Sequence, residues 1–226
     1  MKKQQMENVE RMAGKIVDAD LIQHLGLNPE QAGYLKDLLK KKYGPGADLT
    51  MELMAGELSD AQMAELGKQF KAQMAEADGQ IKTFLGEDAY KTFEWQEKSQ
   101  DERARVKDFQ KKLSGVGQSL TPEQQDGLLR AMYEERQNFQ FKVDYSDPLN
   151  YDYERLHEFF GPANLEQYFQ DMEQLNGKIA LRADAFLTPE QSAQLKAMQQ
   201  DQLEKGKVTV RMTNALFGKR AGVSNQ

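Results

Sequence analysis

The chain has 226 residues and 25.8 kDa, 39% of them hydrophobic and 29% charged, so it can bury a core as one domain or two helical lobes and is too apolar to be disordered. Its net charge of −6 and pI near 5.2 argue against nucleic-acid and anionic-membrane partners, which need a concentrated positive field. Cysteine is absent, which removes disulfides, thiolate metal sites and cysteine nucleophiles, and no apolar run approaches the ~20 residues of a bilayer span.

Met1-Lys2-Lys3 looks like the start of a secretory signal, but no apolar stretch follows. The chain is therefore read as cytoplasmic, or as periplasmic or otherwise exported if a signal peptide has been removed. The apolar period is helical, and the first helix is predicted over 4–25. A second, over 29–43, opens at Leu27-Asn28-Pro29-Glu30-Gln31. Asn28 is an N-cap, Pro29 has its φ already set, Glu30 adds a negative charge at the positive helix end, and Gln31 can close a capping box. Lys40-Lys41-Lys42 reads as cations facing the negative end of this helix, and Gly44-Pro45-Gly46 as the break after it.

Leu58-Ser59-Asp60-Ala61-Gln62 repeats the design, with Ser59 as cap and Gln62 as its partner. It opens a helix over 60–84 whose stripe, Met63, Leu66, Phe70, Met74, Ala77, Ile81 and Phe84, recurs in steps of three and four. Leu85-Gly86-Glu87-Asp88-Ala89-Tyr90 opens the next, over 87–113, with Trp95 beside Tyr90 and Phe93 and Lys111-Lys112 at its end. Gly115-Val116-Gly117 breaks the chain. An N-terminal lobe of 1–118 and a C-terminal lobe of 119–218 are predicted, or one continuous domain, with a mobile polar tail over 219–226.

Leu120-Thr121-Pro122-Glu123-Gln124 opens a helix over 122–142, and Leu187-Thr188-Pro189-Glu190-Gln191 one over 189–217. Phe139, Phe141, Val143 and Tyr145 alternate with period two, but a lone strand has no partner here, so an extended connector is predicted. Short and long helices follow over 150–160 and 162–186, the latter carrying Leu165, Phe169, Met172, Leu175, Ile179, Ala183 and Phe186 on one face. The four openings lie 31, 62 and 67 residues apart, and Phe160-Gly161-Pro162-Ala163-Asn164-Leu165 loosely echoes 85–90. The predicted fold is all-α, an elongated set of antiparallel helical hairpins or a bundle, and the recurrence suggests internal duplication.

Chemistry is sparse. His157 stands three residues after Glu154, a spacing that puts both side chains on one face of a helix in di-iron bundles. His24 has Leu21 where its glutamate would be, so Glu154 and His157, with Asp152 and Glu158 nearby, are at most a weak divalent-ion site. No nucleophile elbow or phosphate loop occurs, and pairs such as Glu134-Glu135 read as a solvated face. No cofactor is predicted. Tyr145, Tyr151, Tyr153, Phe159 and Phe160 gather among acidic residues, and with Trp95 are the partner-binding candidates. The same rings could simply plug the end of a bundle where three helices turn, which is the plainer reading. Eleven methionines suit a surface that repacks around varied apolar partners, although most fall on the core stripes.

The Leu-Thr-Pro-Glu-Gln openings resemble the LTxxQ motif of the small helical Spy/CpxP-like periplasmic stress proteins. Leu120–Gln124 and Leu187–Gln191 match it fully; Ser59 and Asn28 replace its threonine in the other two. The resemblance implies paired motifs that open helices of an antiparallel cradle, dimerisation, and ATP-independent holding of unfolded clients. The wider layout also looks like other helical proteins that bacteria export. The leading functional expectation is thus a non-enzymatic, chaperone-like protein-binding molecule of the bacterial cell envelope. A scaffold subunit that self-associates as a homodimer and a metal-responsive sensor are the alternatives.

Overall fold

The computed structural model describes residues 2–55, 58–145 and 147–217, the side chains of Lys2, Ala47, Thr50, Met51, Leu53, Met54, Ala55, His157 and residues 210–217 excepted. All regular structure among the described residues is helical, as the apolar spacing predicts. In chain order the helices are α1 (Lys2–Ile16), α2 (Ala19–Leu25), α3 (Pro29–Ala55), α4 (Asp60–Leu85), α5 (Glu87–Lys98), α6 (Gln100–Ser114), α7 (Pro122–Asn138), α8 (Leu156–Phe159), α9 (Pro162–Ala183) and α10 (Pro189–Phe217). A 3-10 turn, Pro148–Asn150, precedes α8.

The chain forms two compact units, Met1–Gln100 with Asp147–Phe159, and Asp101–Ser146 with Phe160–Gln226. The boundary predicted at 118/119 therefore moves to Gln100/Asp101. Its physical reason is the α6 stripe: Val106, Phe109 and Leu113 share one core with Leu128 of α7, Leu175 and Ile179 of α9 and Leu195 of α10. The tail predicted over 219–226 lies outside the described residues.

In the first unit α3 and α4 run antiparallel, with α1 against α3. Their core holds Ile16, Leu21, Leu35, Leu38, Leu39, Ile81 and Phe93. The helix predicted over 4–25 splits, because the Leu21 N–H bonds to Asp18 Oδ1 at 2.9 Å and restarts the helix as α2. Conversely, α3 does not stop at Gly44-Pro45-Gly46 but continues to Ala55. Proline there forfeits one backbone bond, yet Leu49 beyond it packs with Phe70 and Met74, and that burial holds the helix together across the defect. Gly46 suits the turn for a second reason, since a methyl there would press on the Phe70 ring at 3.1 Å. The helix predicted over 87–113 likewise divides at Ser99, which is wholly buried and bonds its N–H to the Trp95 carbonyl.

The returning segment, Asp147–Phe159, brings Tyr153 onto α4. Its buried ring lies over Gly67, meets Phe70 edge-on at 6.4 Å, and its hydroxyl donates to the Pro148 carbonyl at 3.2 Å. A methyl at Gly67 would overlap Tyr153 Cβ, Cγ and Cδ2. At an open helical position Gly→Ala stabilises by roughly 1 kcal/mol; here Gly67→Ala is expected to destabilise by about 1–3 kcal/mol. It should also speed tryptic cleavage after the exposed Arg155, and unchanged cleavage would refute the docking role of this glycine.

In the second unit α7 ends at Asn138, four residues before its predicted end, and Phe139 enters the extended connector at φ −81, ψ 129. The buried Asp171 carboxylate of α9 holds that connector, accepting the Lys142 N–H at 2.8 Å and Gln167 Nε2 at 2.9 Å. Phe139 and Phe141 pack on the core behind it.

Candidate functional site

The four predicted caps all form. Asn28 with Gln31, Ser59 with Gln62, Thr121 with Gln124 and Thr188 with Gln191 each exchange side-chain and backbone bonds as capping boxes. In the first unit, Asn28 and Gln31, like Ser59 and Gln62, cap on exposed ground. In the second unit the boxes also meet each other. Gln124 Nε2 donates to Gln191 Oε1 at 3.0 Å and to the Phe186 carbonyl at 3.0 Å. Gln191 Nε2 returns a bond to Gln124 Oε1 at 3.4 Å and another to the Ser119 carbonyl at 2.9 Å. Ser119 and Phe186 are the residues just before each motif, so the arrangement has local two-fold symmetry. One residue thus satisfies its own helix end and fixes the other.

The aromatic candidates divide between the two units. Tyr151 lies 5.2 Å from Phe159 and 6.0 Å from Tyr153, all in the first unit. Tyr145 stacks on Phe160 at 5.0 Å and touches Tyr168 at the same distance, in the second. Tyr153 is core, not contact surface; Phe160 is exposed and Tyr145 half-buried. Trp95 is half-buried on α5. Nor do Glu154 and His157 share a helical face, because Glu154 sits in the exposed turn before α8 with its N–H on Asp152 Oδ1. The His157 imidazole lies outside the described residues.

Two features of the first unit escape sequence reading. One is a groove of about 550 Å³ where α1, α3 and α4 meet. Leu49, Phe70 and Ala77 floor it, Met6 and Leu66 add apolar edges, and among the described residues the rim carries Asp48, Glu52 and Glu76 against the single cation Lys41. Gly44 and Pro45 of α3 border it.

The other is a buried charge cluster. Lys42 Nζ donates to Asp78 Oδ1 at 2.7 Å and to both Glu97 oxygens at 2.9 and 3.0 Å. Tyr43 OH donates to Glu97 Oε1 at 2.9 Å and Tyr90 OH to Asp78 Oδ2 at 2.6 Å. The Lys42 and Glu97 side chains are only 10% and 6% exposed, which makes this an ion pair of three helices' interior. The sequence places Lys42 as a helix-end cation, but because α3 continues it lies mid-helix, in register with the buried Leu35–Leu38–Leu39 stripe.

The cluster sets a pH window. Burial pushes Tyr43 and Tyr90 above their usual 10.0, helped by Glu97 and Asp78. Burial works against the Lys42 ammonium, but Glu97 and Asp78 outweigh it and hold its pKa above 10.5. Burial also works against the Asp78 carboxylate, while bonds from Lys42 and Tyr90 keep it below 3.8. Groups raised in the fold contribute stability below their unfolded values and lose it as pH rises; the lowered Asp78 loses its contribution as pH falls below 3.8. Melting followed by Trp95 emission should thus be flat between roughly pH 4 and 10 as far as this cluster governs it, then fall on both sides. Tyr43→Phe should flatten the alkaline limb, and an unaltered limb would remove Tyr43 from the cause.

No known protein family, curated protein or solved structure matches this chain.

Proposed function

We propose that the chain is a non-enzymatic, chaperone-like protein of the bacterial cell envelope that holds apolar, basic segments of other proteins. The observation that carries this reading is the first-unit groove: an apolar floor of Leu49, Phe70 and Ala77 under a rim that carries, among the described residues, three carboxylates and one lysine. Such a rim attracts a cationic segment and the floor removes its apolar side chains from water, so charge speeds the encounter and burial retains it. The envelope assignment rests on the resemblance of Leu120–Gln124 and Leu187–Gln191 to the LTxxQ motif.

The test is aggregation of a reduced, basic client such as lysozyme, followed by light scattering at equimolar protein. Suppression is expected, weakened at least about threefold by joint Glu52→Lys and Glu76→Lys on the exposed rim. Absence of suppression, or suppression indifferent to the reversed rim, would overturn the reading.

A further inference from the structure

The walls of the first-unit groove are two rows of residues, one on each of the packed helices α3 and α4. On α3 the row is Lys41, Gly44, Asp48 and Glu52. On α4 it is Gln69, Gln73, Glu76 and Gln80. Both advance in steps of three and four over about three turns, or ~16 Å at ~1.5 Å per residue. Between them lies the narrow apolar floor of Leu49, Phe70 and Ala77. In a bundle, rows of this kind flank the seam on which a further helix rests.

Backbone chemistry selects the conformation of an occupant. An extended segment needs partners for its own N–H and C=O groups, and walls made of helices bond theirs internally. A helical segment satisfies its own backbone and brings only side chains to the site. Two helices packed ~8–10 Å apart also leave a furrow that matches the ~10 Å width of a third. Charge selects the direction. Lys42 pairs with Asp78, and a methyl at Gly46 would press on Phe70, so Lys41 stands at the Gln80 end of the groove and Glu52 at the Gln69 end. Asp48 and Glu52 make the Gln69 end negative, whereas at the Gln80 end Lys41 offsets Glu76. A helix carries partial positive charge at its N-terminus and partial negative charge at its C-terminus.

We propose that the client segment is held as a basic amphipathic α-helix of about three turns, antiparallel to α3, with its N-terminus toward Glu52 and its C-terminus toward Lys41. One apolar side chain per turn meets the floor, and flanking lysines or arginines reach Asp48 and Glu52. This rests on the client reading above, which specifies neither conformation nor direction.

Two labelled peptides of about 14 residues test the conformation. One has leucine at every third or fourth position and lysine and alanine elsewhere; the other is the same sequence with two central D-residues, which keeps composition and charge but breaks the helix. Fluorescence anisotropy with the full chain should show the all-L peptide bound at least about tenfold more tightly, and joint Asp48→Lys and Glu52→Lys should remove most of that affinity. Direction is read by disulfide trapping. The chain has no cysteine, so Gln69→Cys or Gln80→Cys adds a unique thiol on the rim. In a glutathione buffer, the all-L peptide carrying an N-terminal cysteine should trap Gln69→Cys at least about threefold faster than Gln80→Cys, each rate taken relative to a small disulfide reagent. Equal affinity of the two peptides, binding of neither, or trapping that favours Gln80→Cys or neither site overturns this inference. Suppression of lysozyme aggregation in the same preparation then leaves the client reading standing, and its absence removes both.

Discussion

Lys42→Met is expected to destabilise the first unit by about 3–5 kcal/mol, the usual consequence of leaving a buried charge without its partner. Among the described residues, Glu97 would remain 6% exposed with only the Tyr43 hydroxyl as donor, and the partly exposed Asp78 would keep Tyr90 and water. Methionine fills the lysine's volume, so the loss is electrostatic and not a cavity effect. The companion variant separates these causes: Lys42→Met with Glu97→Leu should recover most of the loss, because replacing a whole buried pair by apolar groups is close to neutral. Denaturant titration followed by Trp95 emission measures both. A single substitution costing under about 1 kcal/mol would mean that water reaches the cluster.

Arg136→Met should do the same to the second unit, again by about 3–5 kcal/mol. Glu102 of α6 is 1% exposed and takes both Arg136 Nε and Nη2, while the guanidinium lies 5.6 Å from the Tyr133 ring. Removing the arginine strands that carboxylate and strips a planar cation from an aromatic face. The only tryptophan is in the first unit, so the two variants can be told apart. For Arg136→Met, far-ultraviolet dichroism should lose amplitude at lower denaturant while tryptophan emission holds its midpoint. Coincident shifts of both probes would show that the units melt as one.

The helix openings were legible because capping is local chemistry: Thr121 and Gln124, three residues apart, contain everything the box needs. Helix ends and unit boundaries were not, because they depend on what packs nearby. Pro45 reads as a terminator, but the burial of Leu49 against Phe70 overrides it. Gly115-Val116-Gly117 reads as a lobe boundary, but the chain there only turns from α6 to α7 within one core. The aromatic run 145–160 looks continuous in sequence, yet its rings are divided between two units. Of the candidate sites, the charge cluster was half visible in the register of Lys42, while the groove needs three helices in place and leaves no local mark.

The discontinuity of the first unit bears on biosynthesis. When α4 leaves the ribosome, Gly67 and Phe70 wait uncovered until Tyr153 follows, about 86 residues later and roughly 4–17 s at ~5–20 residues per second. A nascent chain of this protein thus carries an oily surface of its own while those residues are added, and release factors that act early would leave it permanently bare.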